Sequence, residues 1–225
     1  MTDELTLPAS AAAAGAEEAS EPDKRMTFPN PMLVVVSGPS GVGKSTIVAE
    51  LAARRPQVVP IVTATTRPRR PGEIDKVHYH FLADEEFERL RTEGGLLESA
   101  IVHGAHWYGT PIGQVRGILA AGRDAILTID PQGARAVRGR VPDALLIFVM
   151  PPSIEDLAAR LAERGSEDAA SLASRRRSAE AEMASSGDYD YVIVNETGHP
   201  DAAADRIWEI IQAEARRDPP RRVQV

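Results

Sequence analysis

Eight consecutive residues combine the types that bind phosphate. Residues 38–45 read Gly-Pro-Ser-Gly-Val-Gly-Lys-Ser, which matches the pattern G-x-x-x-x-G-K-[ST]. The glycines leave backbone N–H groups free to curl around phosphate oxygens, while Lys44 can reach the β- and γ-phosphates and Ser45 offers a hydroxyl to Mg²⁺. The pattern predicts a nucleotide-phosphate site. By itself it does not distinguish a kinase, a GTPase and an ATPase.

Arginines form two short clusters in a chain whose net charge is −7. One contains Arg67, Arg69 and Arg70, and the other spans residues 175–177. Basic clusters in an acidic chain favour a discrete anionic ligand over a nucleic-acid polymer, with solvated surface charge as the alternative. A guanidinium suits phosphate because its planar fork can bind two oxygens at once.

The phosphate-binding pattern lies between a predicted strand and a predicted helix. Residues 32–36 read MLVVV, an apolar run typical of a buried parallel strand, and residues 45–55 have helical character up to Pro56. Further strand-like runs cover 125–129, 144–149 and 191–194, and helix-like stretches cover 113–121, 153–164, 170–184 and 201–215. This alternation predicts an α/β fold with a parallel sheet covered on both faces.

Residues 62–112 interrupt this alternation. They contain most of the aromatic residues and carry turn signals at 71–72 and 94–95. We predict an inserted small α/β subdomain with some antiparallel pairing. Outside the domain at 31–217, we expect a disordered extension at 1–30 and a flexible tail at 218–225.

Composition excludes several classes of function. The 225 residues contain no cysteine, which excludes disulfides, thiolate metal sites and cysteine nucleophiles. No window approaches the roughly 18 apolar residues of a membrane helix. The N-terminus lacks the basic start and long apolar run of a secretory signal. These features fit a cytoplasmic protein that binds no membrane.

Two classes of phosphate-loop protein fit the sequence poorly. A GTPase should carry an N-K-x-D motif, and the sequence has none. An ATPase motor usually needs a longer chain and an acidic pair after a buried strand, whereas the strand at 125–129 is followed by the single acid Asp130. A small kinase remains the better interpretation.

Eight segments, in order along residues 32 to about 212, give the chain a resemblance to guanylate kinases. They are GPSGVGKST (38–46), TATTRPRRPGE (63–73), HYHF (78–81), GGLLE (94–98), WYGTP (107–111), IDPQGARAV (129–137), PPSIEDLAARLAERG (151–165) and VIVNE (192–196). The block T-T-R-x-x-R-x-G-E is distinctive for this family among phosphate-loop kinases.

The resemblance implies a three-layer P-loop NTPase fold with a parallel sheet core. The core comprises 31–61, 113–152 and 187–217, the GMP-binding insert 62–112, and a helical lid 153–186. The implied activity is phosphorylation of GMP and dGMP by ATP with Mg²⁺, in purine metabolism and GMP recycling. No nucleic-acid polymer is implied as a partner, and a monomer or small homo-oligomer is expected.

The resemblance also implies the site residues. The ATP site comprises Gly38, Pro39, Ser40, Gly41, Val42, Gly43, Lys44, Ser45, Thr46 and Asn195, with Ser45 also a ligand of Mg²⁺. The GMP phosphate is assigned to Arg67, Arg70, Tyr79 and Tyr108, and the base side to Thr63, Glu98, Thr110 and Asp130. The catalytic cations are Lys44, Arg160, Arg164 and Arg175.

The chemistry of the two nucleotides supports these assignments. The acceptor phosphate has a second pKa near 6, so it is already an oxyanion and needs no general base. Guanine presents a ring N–H beside an amino group, and a carboxylate such as Glu98 can accept from both. The alternatives are a surface charge for Glu98, an ion pair with Glu155 or Asp156 for Arg160, and a turn role for Asn195.

Three residues depart from the family pattern. Thr128 stands where an acid is frequent, Pro131 is expected to stiffen its loop, and Arg176 replaces a frequent leucine, so the lid helix is expected to face differently. Two rival functions remain: a ribose-bisphosphate kinase of the same superfamily, and a catalytically weak guanylate-kinase-like module that captures phosphorylated peptides. Glu98 argues against the first, and Lys44 against the second.

Overall fold

A computed structural model describes residues 30–102, 106–163 and 169–225 of the chain. The expected disordered extension therefore lies, apart from its last residue, outside the described residues. The central sheet consists of β1 (Leu33–Ser37), β2 (Val58–Pro60), β7 (Asp124–Thr128), β8 (Leu145–Met150) and β9 (Tyr191–Val194), paired in parallel in the order β2-β7-β1-β8-β9. Within the described ranges, no helix is long and apolar enough to cross a membrane.

Helices cover both faces of this sheet. They are α1 (Lys44–Arg54), α3 (Ile112–Ala120), α4 (Pro131–Arg140) and α7 (Pro200–Ala215). Side chains alternate along β1: Val34 and Val36 pack with the face of α1 and α7, whereas Leu33 and Val35 pack with the face of α3 and α4. The apolar run is buried on both sides because successive side chains of a strand point to opposite faces.

The insert forms its own mixed sheet. It contains β3 (Ala64–Thr65), β4 (His80–Phe81), α2 (Asp84–Thr92), β5 (Leu96–Val102) and β6 (His106–Pro111), in the strand order β4-β3-β6-β5. Strand β6 pairs antiparallel with β3 and β5. A small core under this sheet includes Phe87 and Trp107, whose rings stack with centroids 5.9 Å apart. The predicted α/β insert with antiparallel pairing is confirmed.

The lid span contains α5 (Ile154–Glu163) and α6 (Ala169–Ala184). The N-terminus of α5 is capped: the Asp156 N–H donates to Ser153 Oγ (3.0 Å), and the Ser153 hydroxyl donates back to the Asp156 carboxylate. Leu157 and Ala179, one from each helix, are buried in the core on the α1 and α7 side. Both helices are therefore anchored to the main body at those positions.

One expected loop is instead the start of a helix. Pro131 is the first residue of α4, and Asp130 caps it by accepting the Gly133 N–H at 2.8 Å. The sequence interpretation of Pro131 as a loop stiffener was wrong. Proline is favoured at the first helical position because its ring presets φ and its missing N–H would have no partner there.

The expected flexible tail at 218–225 packs against the body instead. Arg221 is 9% exposed; its Nε donates to Glu214 (2.6 Å) and its guanidinium lies 3.3 Å from the Ala144 carbonyl. Val223 and Val225 pack against the α3 and α4 face. The polar composition of the tail suggested flexibility. Its partners, Glu214 and the apolar face of α3 and α4, lie in other segments of the chain, so the local sequence does not reveal them. We call residues 218–225 the C-terminal strap.

Candidate active site

The phosphate loop, residues 38–45, leaves β1 and enters α1 through three glycines with positive φ. A Cβ atom on Gly38 (φ +142°) would lie 2.3 Å from the Val149 carbonyl oxygen. A Cβ atom on Gly43 (φ +100°) would lie 2.6 Å from Asn195 Nδ2. The loop therefore needs glycine at these positions both for backbone conformation and for close approach to its neighbours.

Lys44 folds back over the phosphate loop. Its Nζ donates to the carbonyls of Gly38 (2.6 Å) and Pro39 (3.1 Å). Burial lowers the pKa of Lys44 to about 8, against the carboxylates of Glu182 and Asp130, which favour the charged form. The side chain thus remains cationic at neutral pH, as a phosphate ligand must.

Two side chains hold the phosphate loop from behind through one carbonyl. Asn195 Nδ2 and Arg160 both donate to the Val42 oxygen, at 2.7 and 3.2 Å. Arg160 also donates to the Asn195 carbonyl (3.0 Å) and to Thr197 Oγ1 (2.8 Å). Asn195 is 5% exposed, and its Oδ1 is buried without a hydrogen-bond partner among the described residues. Both residues are therefore brought to the loop, where their contacts brace its backbone.

Glu98 lies on β5 in a nearly closed environment. Its side chain is 8% exposed and accepts the Thr110 hydroxyl from β6 at 2.6 Å. Burial raises the pKa of Glu98 to about 7; the Thr110 bond opposes that rise, and the Asp130 carboxylate adds to it. A Cβ atom on Gly133 would lie 3.2 Å from Glu98 Oε2, so α4 begins directly beside this carboxylate.

The position of Glu98 is fixed by the neighbouring helix as well as by its own sheet. Arg140 at the end of α4 donates to the carbonyls of Leu96 (2.8 Å) and Leu97 (3.2 Å). The structure thus brings Glu98, Thr110 and Asp130 together. Thr63 lies outside this cluster of contacts: its carbonyl accepts the His80 N–H at 2.8 Å, and its side chain is half-buried.

Arg67 is buried among polar and aromatic partners at the other end of the insert. Its guanidinium makes a bidentate pair with Glu73, at 2.7 and 3.0 Å, and its Nε donates to the Tyr108 hydroxyl at 3.1 Å. The guanidinium carbon also lies 5.4 Å from the centre of the Tyr79 ring. These contacts fix the orientation of the fork; the Glu73 hydrogen bond is the largest cause of the raised pKa of Arg67.

Glu73 holds two of the arginines of the segment 67–73, Arg67 and Arg70. Besides pairing with Arg67, it accepts the backbone N–H of Arg70 at 2.7 Å. The hydrogen bonds from Arg67 hold the pKa of Glu73 at about 2. The Arg70 side chain is exposed, and the rings of Tyr79 and Tyr108 meet edge to face at 5.9 Å. The four predicted phosphate ligands therefore belong to one surface region of the insert.

Comparison with known proteins decides which family this arrangement represents. The family model described as guanylate kinase matches residues 30–214. The chain belongs to the guanylate kinase family. It is 49% identical over 168 residues to a guanylate kinase of Symbiobacterium thermophilum, covering 75% of this chain and 79% of that one. It is 50% identical over 167 residues to one of Thermobifida fusca, covering 74% and 85%.

A solved structure shares the fold. The crystal structure of guanylate kinase from Anaplasma phagocytophilum matches with a TM-score of 0.69 and 33% identity, covering 84% of this chain and 88% of that one. The three-layer fold with a parallel sheet core, expected from the sequence, is thereby confirmed. Guanylate kinases are ATP:GMP phosphotransferases.

Other guanylate kinase residues expected at the site are described only in part. Arg164 lies outside the described residues. The backbone of α6 includes Arg175 and Arg176, whose side chains are not among those described. Ser45 and Thr46 begin α1 with exposed side chains. The site roles of Arg164, Arg175, Ser45 and Thr46 remain predictions.

Two carboxylates near the site were not assigned from the sequence. Glu73 stands at the end of the T-T-R-x-x-R-x-G-E block, so the motif contained the signal. Glu182, on α6, accepts the backbone N–H of Ser40 at 3.3 Å. It is 142 positions from Ser40 in a helix without a motif, and no sequence signal connects it to the phosphate loop.

Proposed function

We propose that this guanylate kinase transfers the γ-phosphoryl group of ATP to the phosphate of GMP or dGMP, giving ADP and GDP or dGDP for purine nucleotide metabolism. The observation that carries the choice of acceptor is the buried Glu98 carboxylate, held by Thr110 and facing the start of α4. It is a buried acceptor group, as a purine with two adjacent donors requires. Membership of the family supports the reaction.

The proposed chemistry depends on charge and alignment. ATP brings about four negative charges and GMP about two, so their meeting requires fixed cations. Lys44 and the backbone N–H groups of the phosphate loop serve the donor, and Arg67 and Arg70 serve the acceptor. The GMP oxyanion attacks the γ-phosphorus as the bond to the β-bridging oxygen breaks, and ADP leaves with that electron pair. Proton removal is not needed, because the phosphate is ionised at neutral pH.

The proposed base selection depends on the ionised form of the buried Glu98 carboxylate, which predominates above its pKa of about 7. Ionised Glu98 would accept the ring N–H and the amino group of guanine together, and Thr110 would keep one oxygen oriented. Adenine offers no such paired donors and would leave the buried carboxylate unpaired, which can cost orders of magnitude in specificity. The Asp130 carboxylate, which caps α4, would accept from the same base edge.

Mg²⁺ is proposed to accompany ATP. The described residues contain no group of three acidic or histidine side chains suited to hold an ion. With Thr128 at the end of β7, the protein's own contribution would be the exposed Ser45 hydroxyl, and ATP oxygens and water would supply the rest. The ion would neutralise charge on the transferring phosphates. The lid arginines Arg160, Arg164 and Arg175 are proposed to add positive charge around the transferring phosphoryl group.

We also propose a cytoplasmic location for the protein.

A coupled assay for ADP release tests the function. GMP and dGMP should support turnover, whereas AMP, dTMP and ribose bisphosphate should not exceed the background. Lys44→Ala should abolish turnover with GMP because it removes the fixed cation at the β–γ bridge. Turnover with ribose bisphosphate alone would favour the rival kinase. Inactivity with every acceptor, by a folded protein that binds GMP, would favour a binding module.

A further inference from the structure

Glu182 lies where the lid helix meets the phosphate loop. It is on the last turn of α6, half-buried, and its carboxylate accepts the Ser40 backbone N–H at 3.3 Å. Its own carbonyl accepts the Ser185 hydroxyl at 2.7 Å, and Ala179 three residues earlier is 4% exposed in the main core. The backbone around Glu182 is thus held against the body, and the carboxylate is directed to the loop.

The groups that Glu182 meets are those that a phosphate needs. Backbone N–H groups and a lysine ammonium are the phosphate ligands of such a loop. Glu182 accepts one of these N–H groups, and its negative charge favours the cationic form of Lys44 more strongly than that of Asp130 does. A carboxylate of the lid therefore takes the place that an anionic phosphate oxygen would occupy on these groups.

The carboxylate and a triphosphate cannot share these partners at low cost. A phosphate oxygen on the Ser40 N–H would replace the Glu182 oxygen there, and two anions side by side repel strongly in a partly desolvated site. Binding of the donor must therefore move Glu182 away from the loop.

We propose that Glu182 is an internal competitor for the donor-phosphate subsite, which the triphosphate of ATP must displace from Ser40 and from the field of Lys44. This inference rests on the proposed placement of ATP on residues 38–45. By accepting the Ser40 N–H and acting on Lys44 with its negative charge, Glu182 lowers the affinity for ATP and ADP alike. It is therefore a residue that sets donor affinity and that links donor binding to the end of the lid helix.

Calorimetric titration with inorganic tripolyphosphate tests this role without the base or the acceptor. We expect Glu182→Gln to bind tripolyphosphate about three- to fivefold more tightly than wild type, because the displaced pair is partly exposed. Added salt should shrink the difference, since the competing term is electrostatic. In steady-state assays the KM for ATP should fall by the same factor, while the KM for GMP stays constant.

Glu180→Gln is the matched control. Glu180 is exposed on the same helix, two residues away, so it changes the net charge equally while its side chain points elsewhere. It should bind tripolyphosphate nearly as wild type does. Equal or weaker binding by Glu182→Gln would overturn the proposal, because a residue that merely supports the loop would lose affinity when removed.

Two further variants keep the outcome decisive. Glu182→Asp retains the charge but shortens the reach, and it should also tighten binding; if Glu182→Gln does not fold, unchanged binding by Glu182→Asp would overturn the proposal. Lys44→Ala reports on the subsite itself. If it binds tripolyphosphate as well as wild type does, the proposed donor site is wrong. If it loses binding while Glu182→Gln gains none, only the internal competitor is wrong.

Discussion

Two glutamates of the insert, Glu98 and Glu73, have pKa values shifted in opposite directions. At the base end, burial raises the pKa of Glu98 to about 7, and its hydrogen-bond donor is the neutral Thr110 hydroxyl. At the phosphate end, the hydrogen bonds from Arg67 hold the pKa of Glu73 at about 2. Glu98 is thus kept available for an incoming donor, whereas Glu73 is already committed to a cation. In the proposed function, the difference separates Glu98, which would bind the guanine base, from Glu73, which positions Arg67.

The largest expected effect is at the base end. Glu98→Gln presents an amide N–H to the donors of guanine, so we expect kcat/KM for GMP to fall about 100-fold or more. The KM for ATP should change little. Glu93→Gln, an exposed acid of the same insert, is the control. An unchanged ratio of GMP to AMP activity in Glu98→Gln would contradict the role of Glu98.

Asp124 is a buried carboxylate with a raised pKa, like Glu98, but it has no proposed ligand. It therefore shows how much burial of a carboxylate lowers the stability of the fold. It is 3% exposed and accepts the Met32 N–H, and burial raises its pKa from 3.8 to about 6. Wild-type stability should therefore fall as pH rises from about 4 to 6. Asp124→Asn keeps the acceptor and escapes this fall, so at pH 8 it should be more stable by about 2 kcal/mol.

Urea unfolding at pH 4 and pH 8 measures this effect. The exposed Asp143→Asn serves as the control. If Asp124→Asn gains no stability over wild type between pH 4 and pH 8, burial does not raise the pKa of Asp124 as described.

The pH dependence of guanosine binding sharpens the comparison. Guanosine lacks the phosphate that itself titrates near pH 6. Because only ionised Glu98 accepts both guanine donors, affinity should rise as pH rises through about 7, and it should be about tenfold weaker at pH 6 than at pH 8. Calorimetry on wild type and Glu98→Gln measures this. A wild-type affinity that is flat over this range would place the pKa of Glu98 outside it.

The smallest expected effect is at the phosphate end. Glu73→Gln removes the charge that orients Arg67 but leaves Arg67 itself, so we expect the KM for GMP to rise about fivefold. Guanosine affinity should not change, because guanosine has no phosphate to be gripped. Tighter GMP binding would mean that Glu73 competes with the phosphate for Arg67 and does not position it.

The sequence predicted the fold and the candidate site residues better than it predicted the contacts that those residues make. Apolar runs and the phosphate-loop pattern located β1, α1 and the insert, because those signals are local. The helix start at Pro131 was missed because the loop interpretation overlooked the capping carboxylate of Asp130. The bracing of Val42 by Asn195 and Arg160, and the contact of Glu182 with Ser40, join segments more than 100 positions apart. No periodicity or spacing carries such information.

The C-terminal strap has a consequence for the stability of the purified protein during storage. The Arg221 guanidinium is the partner of Glu214, which is 8% exposed and also accepts the Tyr191 hydroxyl at 2.6 Å. An exopeptidase that trimmed the last five residues would remove the Arg221 guanidinium and leave the buried carboxylate to its longer ion pair with the more exposed Arg217, at 3.5 Å. The fraction of stored protein that has lost C-terminal residues, measured by mass spectrometry, should therefore correlate with a lower Tm. This fall in Tm should occur while every residue of the distant phosphate loop is still present.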